Sequence, residues 1–161
     1  MEYSVTGIES RHIEIMDDRD ALIGTLDFGF WRPLRGNITM ADGTVYEIRQ
    51  DSFWLATKLI TRGGMAFAEL KPDSNRGIHL SFENGLYLHF KPKSFWSNGK
   101  FVLTDRNKKE IATVQDYFTW KNFSYTYNID IKQTVGDRET DAILLMLLIY
   151  CLRLIRMSDT V

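Results

Sequence analysis

An apolar stretch near the C-terminus, TDAILLMLLIYCLRLIRM at residues 140–157, constrains the fold more than any other feature. Its central run from Ala142 to Leu152 has 11 residues without a charge, and Arg153 then interrupts it. A helix that crosses a bilayer needs about 20 apolar residues, whereas a shorter run of this kind is typical of a buried core helix. Because the run is apolar on every side, the rest of the chain has to enclose the helix.

Signals for both helix ends flank this run. Asp137 or Asp141 can cap the N-terminus, and Glu139 adds negative charge to the first turn. Two arginines near the other end provide the positive charge that favours a helix C-terminus. The sequence therefore predicts a central helix over about residues 138–157.

The remainder of the chain is typical of β-structure. Short runs of strand-forming residues alternate with turn signals such as ADG, ENG and SNG, and no useful helical periodicity precedes residue 137. The predicted strands lie near residues 3–8, 12–16, 22–28, 35–40, 44–54, 57–62, 65–71, 77–82, 86–92, 100–104, 110–115 and 124–131. About twelve antiparallel strands and one apolar helix predict a mainly β, closed barrel around the buried helix. We expect a single domain over residues 1–161.

The hairpin GIHLSFENGLYLHF, residues 77–90, tests the barrel prediction. A two-residue turn would pair Phe82 with Tyr87 and would mix apolar and charged side chains on one face. A three-residue turn, with Gly85 in the left-handed conformation, pairs Phe82 with Leu86 instead. Apolar side chains then share one face and both histidines share the other. Because burial sets the register of a strand pair, we predict the second arrangement.

Composition excludes several classes of protein. Twenty basic and 21 acidic residues leave a net charge of -1, which argues against a general nucleic-acid binder. The only cysteine is Cys151, so neither a disulfide framework nor a thiolate zinc site is expected. The first twelve residues lack the apolar stretch of a signal peptide. These features predict a cytoplasmic protein.

Three segments resemble elements of the tubby C-terminal superfamily, which includes tubby proteins, phospholipid scramblases and the plant LURP-one-related proteins. The segments are DGTVYEIRQDSFW at 42–54, FVLTDRNKKEIATVQ at 101–115 and DAILLMLLIYCLRLI at 141–155. The resemblance spans most of the chain and lies in the order of the elements. It implies a roughly twelve-stranded barrel that encloses a hydrophobic C-terminal helix.

The resemblance also implies binding functions. Tubby domains bind phosphoinositides through paired basic residues, for which Lys91-Pro92-Lys93 is the nearest match here. Scramblases carry a calcium-binding acidic segment beside their last helix. The acids in that region of this chain are Asp130, Asp137, Glu139 and Asp141. Because their spacing is not that of a calcium loop, we expect them to be solvated or to cap the helix.

The segment HFKPKSFWSNGKF, residues 89–101, combines lysines with aromatic residues in a predicted loop. Its members are Lys91, Lys93, Phe95, Trp96 and Lys100, and a second basic cluster of Arg106, Lys108 and Lys109 follows one hairpin later. Aromatic side chains beside lysines suit a loop that sits at the boundary of lipid headgroups. In the alternative interpretation, the two aromatic residues cover an open barrel end and the lysines are solvated.

The predicted hairpin places His79 directly opposite His89 on the outer face. Side chains at such positions lie about 5 Å apart at Cβ, which is close enough to share a metal ion. A stable site needs a third or fourth ligand, and no cysteine is available. The pair is therefore interpreted as an exposed polar pair, with metal binding as the alternative.

No familiar catalytic constellation occurs in the sequence. No serine lies in a Gly-x-Ser-x-Gly elbow, and Cys151 lies among leucines, where a thiol acts as a small apolar group. We expect a non-catalytic binding domain of the tubby and LURP-one-related type, without a cofactor, that contacts anionic phospholipid headgroups or a protein at the membrane periphery. The alternatives are a structural or regulatory protein-interaction module without lipid affinity, and an enzyme that uses the barrel exterior.

Overall fold

A computed structural model describes residues 1–31, 35–50, 56–94 and 99–158. The strands are β1 (Glu2–Thr6), β2 (His12–Met16), β3 (Leu22–Phe28), β4 (Gly36–Met40), β5 (Val45–Gln50), β6 (Lys58–Arg62), β7 (Met65–Pro72), β8 (Ile78–Phe82), β9 (Tyr87–Pro92), β10 (Lys100–Asp105), β11 (Glu110–Thr119) and β12 (Ser124–Ile131). A single helix, α1 (Arg138–Ser158), follows them. The element order and the helix agree with the predictions from the sequence.

The twelve strands form one antiparallel sheet that curls into a nearly closed barrel. Each strand from β2 to β11 pairs with the next strand along the chain, and β1 pairs with β12 across the chain ends. β1 and β2 are the two edges of this sheet, and no ladder joins them in the described residues. The predicted barrel is confirmed, with a seam between β1 and β2.

The β8–β9 hairpin has the predicted register. Leu80 lies opposite Leu88, and the amide N–H of Phe82 donates to the carbonyl of Leu86 at 2.9 Å. Gly85 has a φ of 88°, the left-handed conformation that the three-residue turn requires. The apolar residues of both strands are buried, which confirms that burial set the register.

Within the described residues, two strand ends differ from the prediction by more than one residue. β1 ends at Thr6, because Gly7 has a φ of 65° and begins the turn to β2. β11 continues to Thr119, four residues beyond the predicted end, because its last residues pair with β12 in a long hairpin. The predicted strand near 44–54 is β5 up to Gln50, and residues 51–55 lie outside the described residues.

The helix fills the barrel. Its residues from Ile143 to Ile155 are all buried, including the thiol of Cys151. Inward-facing strand residues such as Leu26, Ile60 and Leu80 are fully buried against this core. An interior occupied in this way leaves the outer wall and the two ends of the barrel as the surfaces that can meet a partner.

Asp137 caps the N-terminus of α1. Its carboxylate accepts the amide N–H of Thr140 at 2.7 Å, the bond expected from an N-cap residue to the third helical residue. Asp141, the other predicted cap, instead accepts the amide of Val135 at 2.8 Å. Asn84 from the β8–β9 turn donates to the hydroxyl of Thr140 at 3.1 Å and so joins the cap to the barrel wall.

Arg153 holds the other end of the helix against the seam. The residue is 1% exposed, and its guanidinium donates to the carbonyls of Ile8 and Ser10 at 2.5 and 2.6 Å. The same group lies 3.8 Å above the ring of Phe28. A buried charge needs hydrogen-bond partners, and here the carbonyl groups of the turn between the two edge strands provide them.

Candidate functional site

Successive loops of the barrel alternate between its two ends, because every strand runs antiparallel to the next. The loops after β1, β3, β7, β9 and β11 lie at the end where the helix finishes. The loops after β2, β4, β6, β8, β10 and β12 lie at the end where it starts. We call the first the aromatic end, for the exposed rings of Phe30, Trp31, Tyr117, Phe118, Trp120 and Phe123, and the second the acidic end, for Asp17, Asp18, Asp20, Asp42, Glu83 and Asp137 in its turns.

All the large aromatic side chains that are exposed in the described residues lie at the aromatic end. They are Phe30, Trp31, Tyr117, Phe118, Trp120 and Phe123. Trp31 is 87% exposed, and Trp120 and Phe123 are each 77% exposed. Exposed clusters of large apolar rings are typical of surfaces that contact a protein or a membrane, so this end is a candidate contact surface.

The aromatic rings of the β11–β12 hairpin pack on one another. Phe118 is their centre, with ring centroids 4.9 Å from both Trp120 and Tyr125 and 6.4 Å from Phe123. Lys121 lies exposed in the same turn. The hairpin therefore presents a preformed aromatic tip with a cation beside it.

A second aromatic pair lies on the β3–β4 connection, beyond the intervening β1–β2 turn. Phe30 and Trp31 meet edge to face at 4.9 Å, and the guanidinium of Arg11 lies 5.0 Å from the ring of Phe30. In strand order the β1–β2 turn is the only loop at this end between the two aromatic groups. The aromatic groups thus occupy neighbouring parts of the rim.

The lysines predicted near residues 89–101 lie beside this end. Lys93 and Lys100 line a groove of about 570 Å³ on the outer wall, together with Lys132, which the sequence did not single out. Lys93 and Lys132 contact Glu110 at 3.3 and 2.7 Å, and their hydrogen bonds lower the pKa of that carboxyl. Lys91 is half-buried on β9. Phe95 and Trp96 lie outside the described residues.

The second predicted basic cluster is at the opposite end of β10. Arg106, Lys108 and Lys109 follow its last residue, in the turn to β11, whereas Lys100 is its first residue. All three are exposed, and Arg106 lies 5.4 Å from the ring of Tyr87. A six-residue strand is about 20 Å long, so the structure does not bring the two basic clusters together.

His79 and His89 form a half-buried cluster with Asp73. The two histidines lie opposite each other on β8 and β9, and their rings stack with centroids 4.1 Å apart. Asp73, from the loop after β7, places Oδ2 at 2.8 Å from Nε2 of His89 and 3.5 Å from Nε2 of His79. One ligand atom of each residue lies within 4.8 Å of the other two. The sequence predicted an exposed polar pair; the structure confirms that the two histidines are neighbours, but they are half-buried and a carboxylate joins them.

Asp73 is held by the backbone of its own loop. Its Oδ1 accepts the amide N–H groups of Asn75 and Gly77, both at 2.8 Å. Burial raises the pKa of Asp73, but these bonds and His89 outweigh burial and lower it. A Cβ atom at Gly77 would lie 2.4 Å from Asp73 Oδ2 and 2.7 Å from His89 Nε2, so only glycine leaves this space open.

Tyr87 sets the orientation of His79. Its hydroxyl shares a short hydrogen bond with Nδ1 of His79, and the two rings stack at 5.6 Å. Burial lowers the pKa of His79, and repulsion from His89 and Lys71 lowers it further, although Asp73 opposes this. His79 is therefore favoured in the neutral form, which is the form that binds metal ions.

The acids next to the helix stabilise the barrel end. Asp137 and Asp141 bond to the backbone as described above, and Glu139 contacts Arg62 and accepts the hydroxyl of Tyr46 at 2.7 Å. Asp130 lies on β12, 3.5 Å from the N-terminal amine. These contacts agree with the expectation that the acids of this region are solvated or cap the helix.

Sequence reasoning missed two features of the sites. Asp73 belongs to DSNRG, which in the sequence signals only an Asx-type turn between two strands. Trp120 and Phe123 belong to TWKNF, the turn of the longest hairpin, where exposure follows from the pairing of β11 with β12. Both segments can be found in the sequence, but their role in a site depends on which loops lie together at one end or on one wall of the barrel.

Comparison with known proteins identifies no relative. No protein-family model, curated protein or solved structure matches this chain. Within the described ranges, α1 does not combine the length and apolarity that a membrane crossing requires.

Proposed function

We propose that this protein is a non-catalytic binding domain, of the tubby and LURP-one-related kind that its sequence resembles, and that its aromatic end contacts anionic phospholipid. The observation that carries the proposal is the concentration of exposed aromatic rings at one end of the barrel. Tryptophan and other aromatic rings favour the interface between lipid headgroups and acyl chains. The rings lie on neighbouring loops, so one flat surface can meet them together.

Cations flank the aromatic rings. Arg11 and Lys121 lie in the loops that carry the rings or adjoin them, and Lys100 begins the strand beside the β11–β12 hairpin. Each cation close to an anionic membrane contributes about 1 kcal/mol. A few cations alone give weak binding, so insertion of the rings supplies the remaining affinity. We expect reversible, peripheral attachment that weakens as the salt concentration rises.

The test is co-sedimentation with vesicles of phosphatidylcholine mixed with phosphatidylserine, an anionic lipid that gives the vesicle surface a negative potential. Replacement of Trp120 and Phe123 by alanine should abolish sedimentation with the vesicles, while the melting temperature stays within about 2 °C of the wild-type value. The matched control replaces Val45 and Met65, exposed apolar residues at the acidic end, and should sediment like the wild type. Equal loss in both double variants, or no binding by the wild type, would contradict the proposal.

A protein partner is the second candidate, and the seam favours it. β1 and β2 present sheet edges without a ladder between them in the described residues, and an extended strand can add to such an edge. The groove between them is lined by Glu2, Glu14, Asp17 and Asp18. Sedimentation velocity at rising protein concentration, without vesicles, separates the candidates. Self-association by a chain that does not bind vesicles would favour the second.

A further inference from the structure

The cluster of Asp73, His79 and His89 has the chemistry of a transition-metal site. Imidazole nitrogen and carboxylate oxygen are the ligands that zinc and its neighbours take when no thiolate is present. A zinc ion lies about 2.1 Å from each ligand, so two ligands of a tetrahedral site are about 3.4 Å apart. The distances of 2.8 and 3.5 Å from Asp73 Oδ2 to the two Nε2 atoms are close to that separation.

The three side chains are held in position by surrounding contacts. Two backbone amides bind Oδ1 of Asp73 and leave Oδ2 directed at the histidines. The hydroxyl of Tyr87 binds Nδ1 of His79, which leaves its Nε2 towards the carboxylate. Such outer hydrogen bonds orient metal ligands in known sites. Gly77 keeps the space beside the ligand atoms free of a side chain.

We infer that Asp73, His79 and His89 bind one divalent transition-metal cation such as Zn²⁺, independently of the proposed membrane contact. In the described structure His89 Nε2 and Asp73 Oδ2 share a hydrogen bond. The cation takes the place of this hydrogen, so that the neutral ring of His89 carries its one proton on Nδ1 and any second proton passes to solvent. Three protein ligands leave a further coordination position for water or an added ligand. The side chains are 19–30% exposed, so solvent reaches the cluster.

One nearby charge opposes the cation. Lys71 lies directly opposite His79 on the neighbouring strand β7 and is exposed. The carboxylate of Asp73 offsets part of this repulsion. Removal of the lysine charge by Lys71→Gln should therefore tighten metal binding by a few fold, whereas removal of a ligand should weaken it far more.

The direct test is calorimetric titration of the untagged chain with ZnCl₂. We expect the wild type to bind one ion per chain. The variants His89→Gln and Asp73→Asn each lose a ligand and should bind the ion at least about 100-fold more weakly. His12→Gln is the matched control, because His12 is the third histidine of the chain and also contacts two carboxylates, Asp27 and Glu14. It should bind Zn²⁺ like the wild type. MgCl₂ and CaCl₂ should produce no comparable heat, because these cations prefer oxygen ligands.

A second measurement needs no ligand variant, in case those variants fold poorly. Long-range ¹H–¹⁵N spectra of the wild-type chain resolve the ring nitrogens of its three histidines. Addition of one equivalent of Zn²⁺ should move the Nε2 signals of His79 and His89 and leave those of His12 in place. No change, equal changes at His12, or undiminished Zn²⁺ binding by folded His89→Gln protein would overturn the inference.

Discussion

The two ends of the barrel share one architecture and differ in their exposed aromatic side chains. The aromatic end carries the exposed rings, with Arg11 and Lys121 among them. The turns of the acidic end carry the acids Asp17, Asp18, Asp20, Asp42, Glu83 and Asp137, together with the basic cluster of Arg106, Lys108 and Lys109. Because successive turns lie at opposite ends, the side chains of one end come from alternate turns of the chain. The surface of each end is therefore not evident when the segments are considered in sequence order.

The ends also hold the helix differently. At the acidic end, several polar contacts attach the helix to the barrel, including the cap by Asp137 and the bonds of Glu139 to Tyr46 and Arg62. At the aromatic end, the buried guanidinium of Arg153 reaches the turn between the edge strands, and Arg156 lies over the ring of Tyr125 and 4.0 Å from Glu9. Because Arg153 is the buried charge of the two, stability should depend most on it at the aromatic end and be distributed over several contacts at the acidic end.

The largest effect is expected in the helix that joins the two ends. Leu148→Asp buries a charge without a partner in a fully enclosed position and should unfold the protein. Leu22→Asp, an equal change at an exposed position of β3, should alter the free energy of unfolding by less than about 1 kcal/mol. Circular dichroism and urea titration measure both variants. A folded Leu148→Asp protein would show that the helix does not fill the barrel.

Removal of the guanidinium should have the next largest effect. Arg153→Met removes the donor of two carbonyls, of which that of Ile8 is buried, and should lower the free energy of unfolding by about 3 kcal/mol. Glu139→Gln, at the acidic end, removes a partly exposed charge and should cost less than about 1 kcal/mol. Similar losses in urea titrations of the two variants would contradict the proposed difference in anchoring.

Charge reversal at each end should separate their roles in membrane contact. Lys100→Glu with Lys121→Glu removes two cations from the aromatic end and should weaken binding to anionic vesicles by about 30-fold or more, from about 1 kcal/mol for each lysine. The matched variant Lys108→Glu with Lys109→Glu changes the same charge at the acidic end. Its vesicle affinity should change by less than about 3-fold. The reverse order of effects would assign the membrane contact to the other end.

The smallest effect concerns the charge of His12, the first residue of β2 at the aromatic end. Hydrogen bonds to Asp27 and then to Glu14 raise the pKa of His12 above its usual value. Its stabilising contribution is therefore complete below the pKa of an unfolded histidine and disappears as the pH rises through the raised value. NMR titration should show that Asp27→Asn lowers the pKa of His12. An unchanged pKa would show that this pair does not form in solution.

The sequence predicted the fold from features that depend on near neighbours. The uncharged run from Ala142 to Leu152 predicted the central helix. The alternation of apolar residues, with Gly85 in the turn, predicted the β8–β9 register. These inferences needed only periodicity and turn chemistry. The choice between Asp137 and Asp141 as the cap needed the position of Asn84 from a distant hairpin, so the sequence left it open.

The candidate sites were predicted less completely, because they combine distant segments. The pair of His79 and His89 follows from one hairpin, but Asp73 joins it from the loop before that hairpin. Lys100 and Arg106 are close in sequence and yet lie at opposite ends of one strand. Nearness along a β-chain is thus a poor guide to nearness on its surface.

Single cysteine probes at the two ends give the most direct test of membrane contact by the aromatic end. Cys151 is fully buried and burial raises its pKa, so a surface cysteine can be labelled selectively. Asn122→Cys and Asn107→Cys are matched sites, since both asparagines are exposed in hairpin turns, one at each end. With an environment-sensitive fluorophore at each site and anionic vesicles, the proposal predicts a blue shift and increased emission at residue 122 alone, reversed by high salt. A response at residue 107, or at neither site, would contradict it.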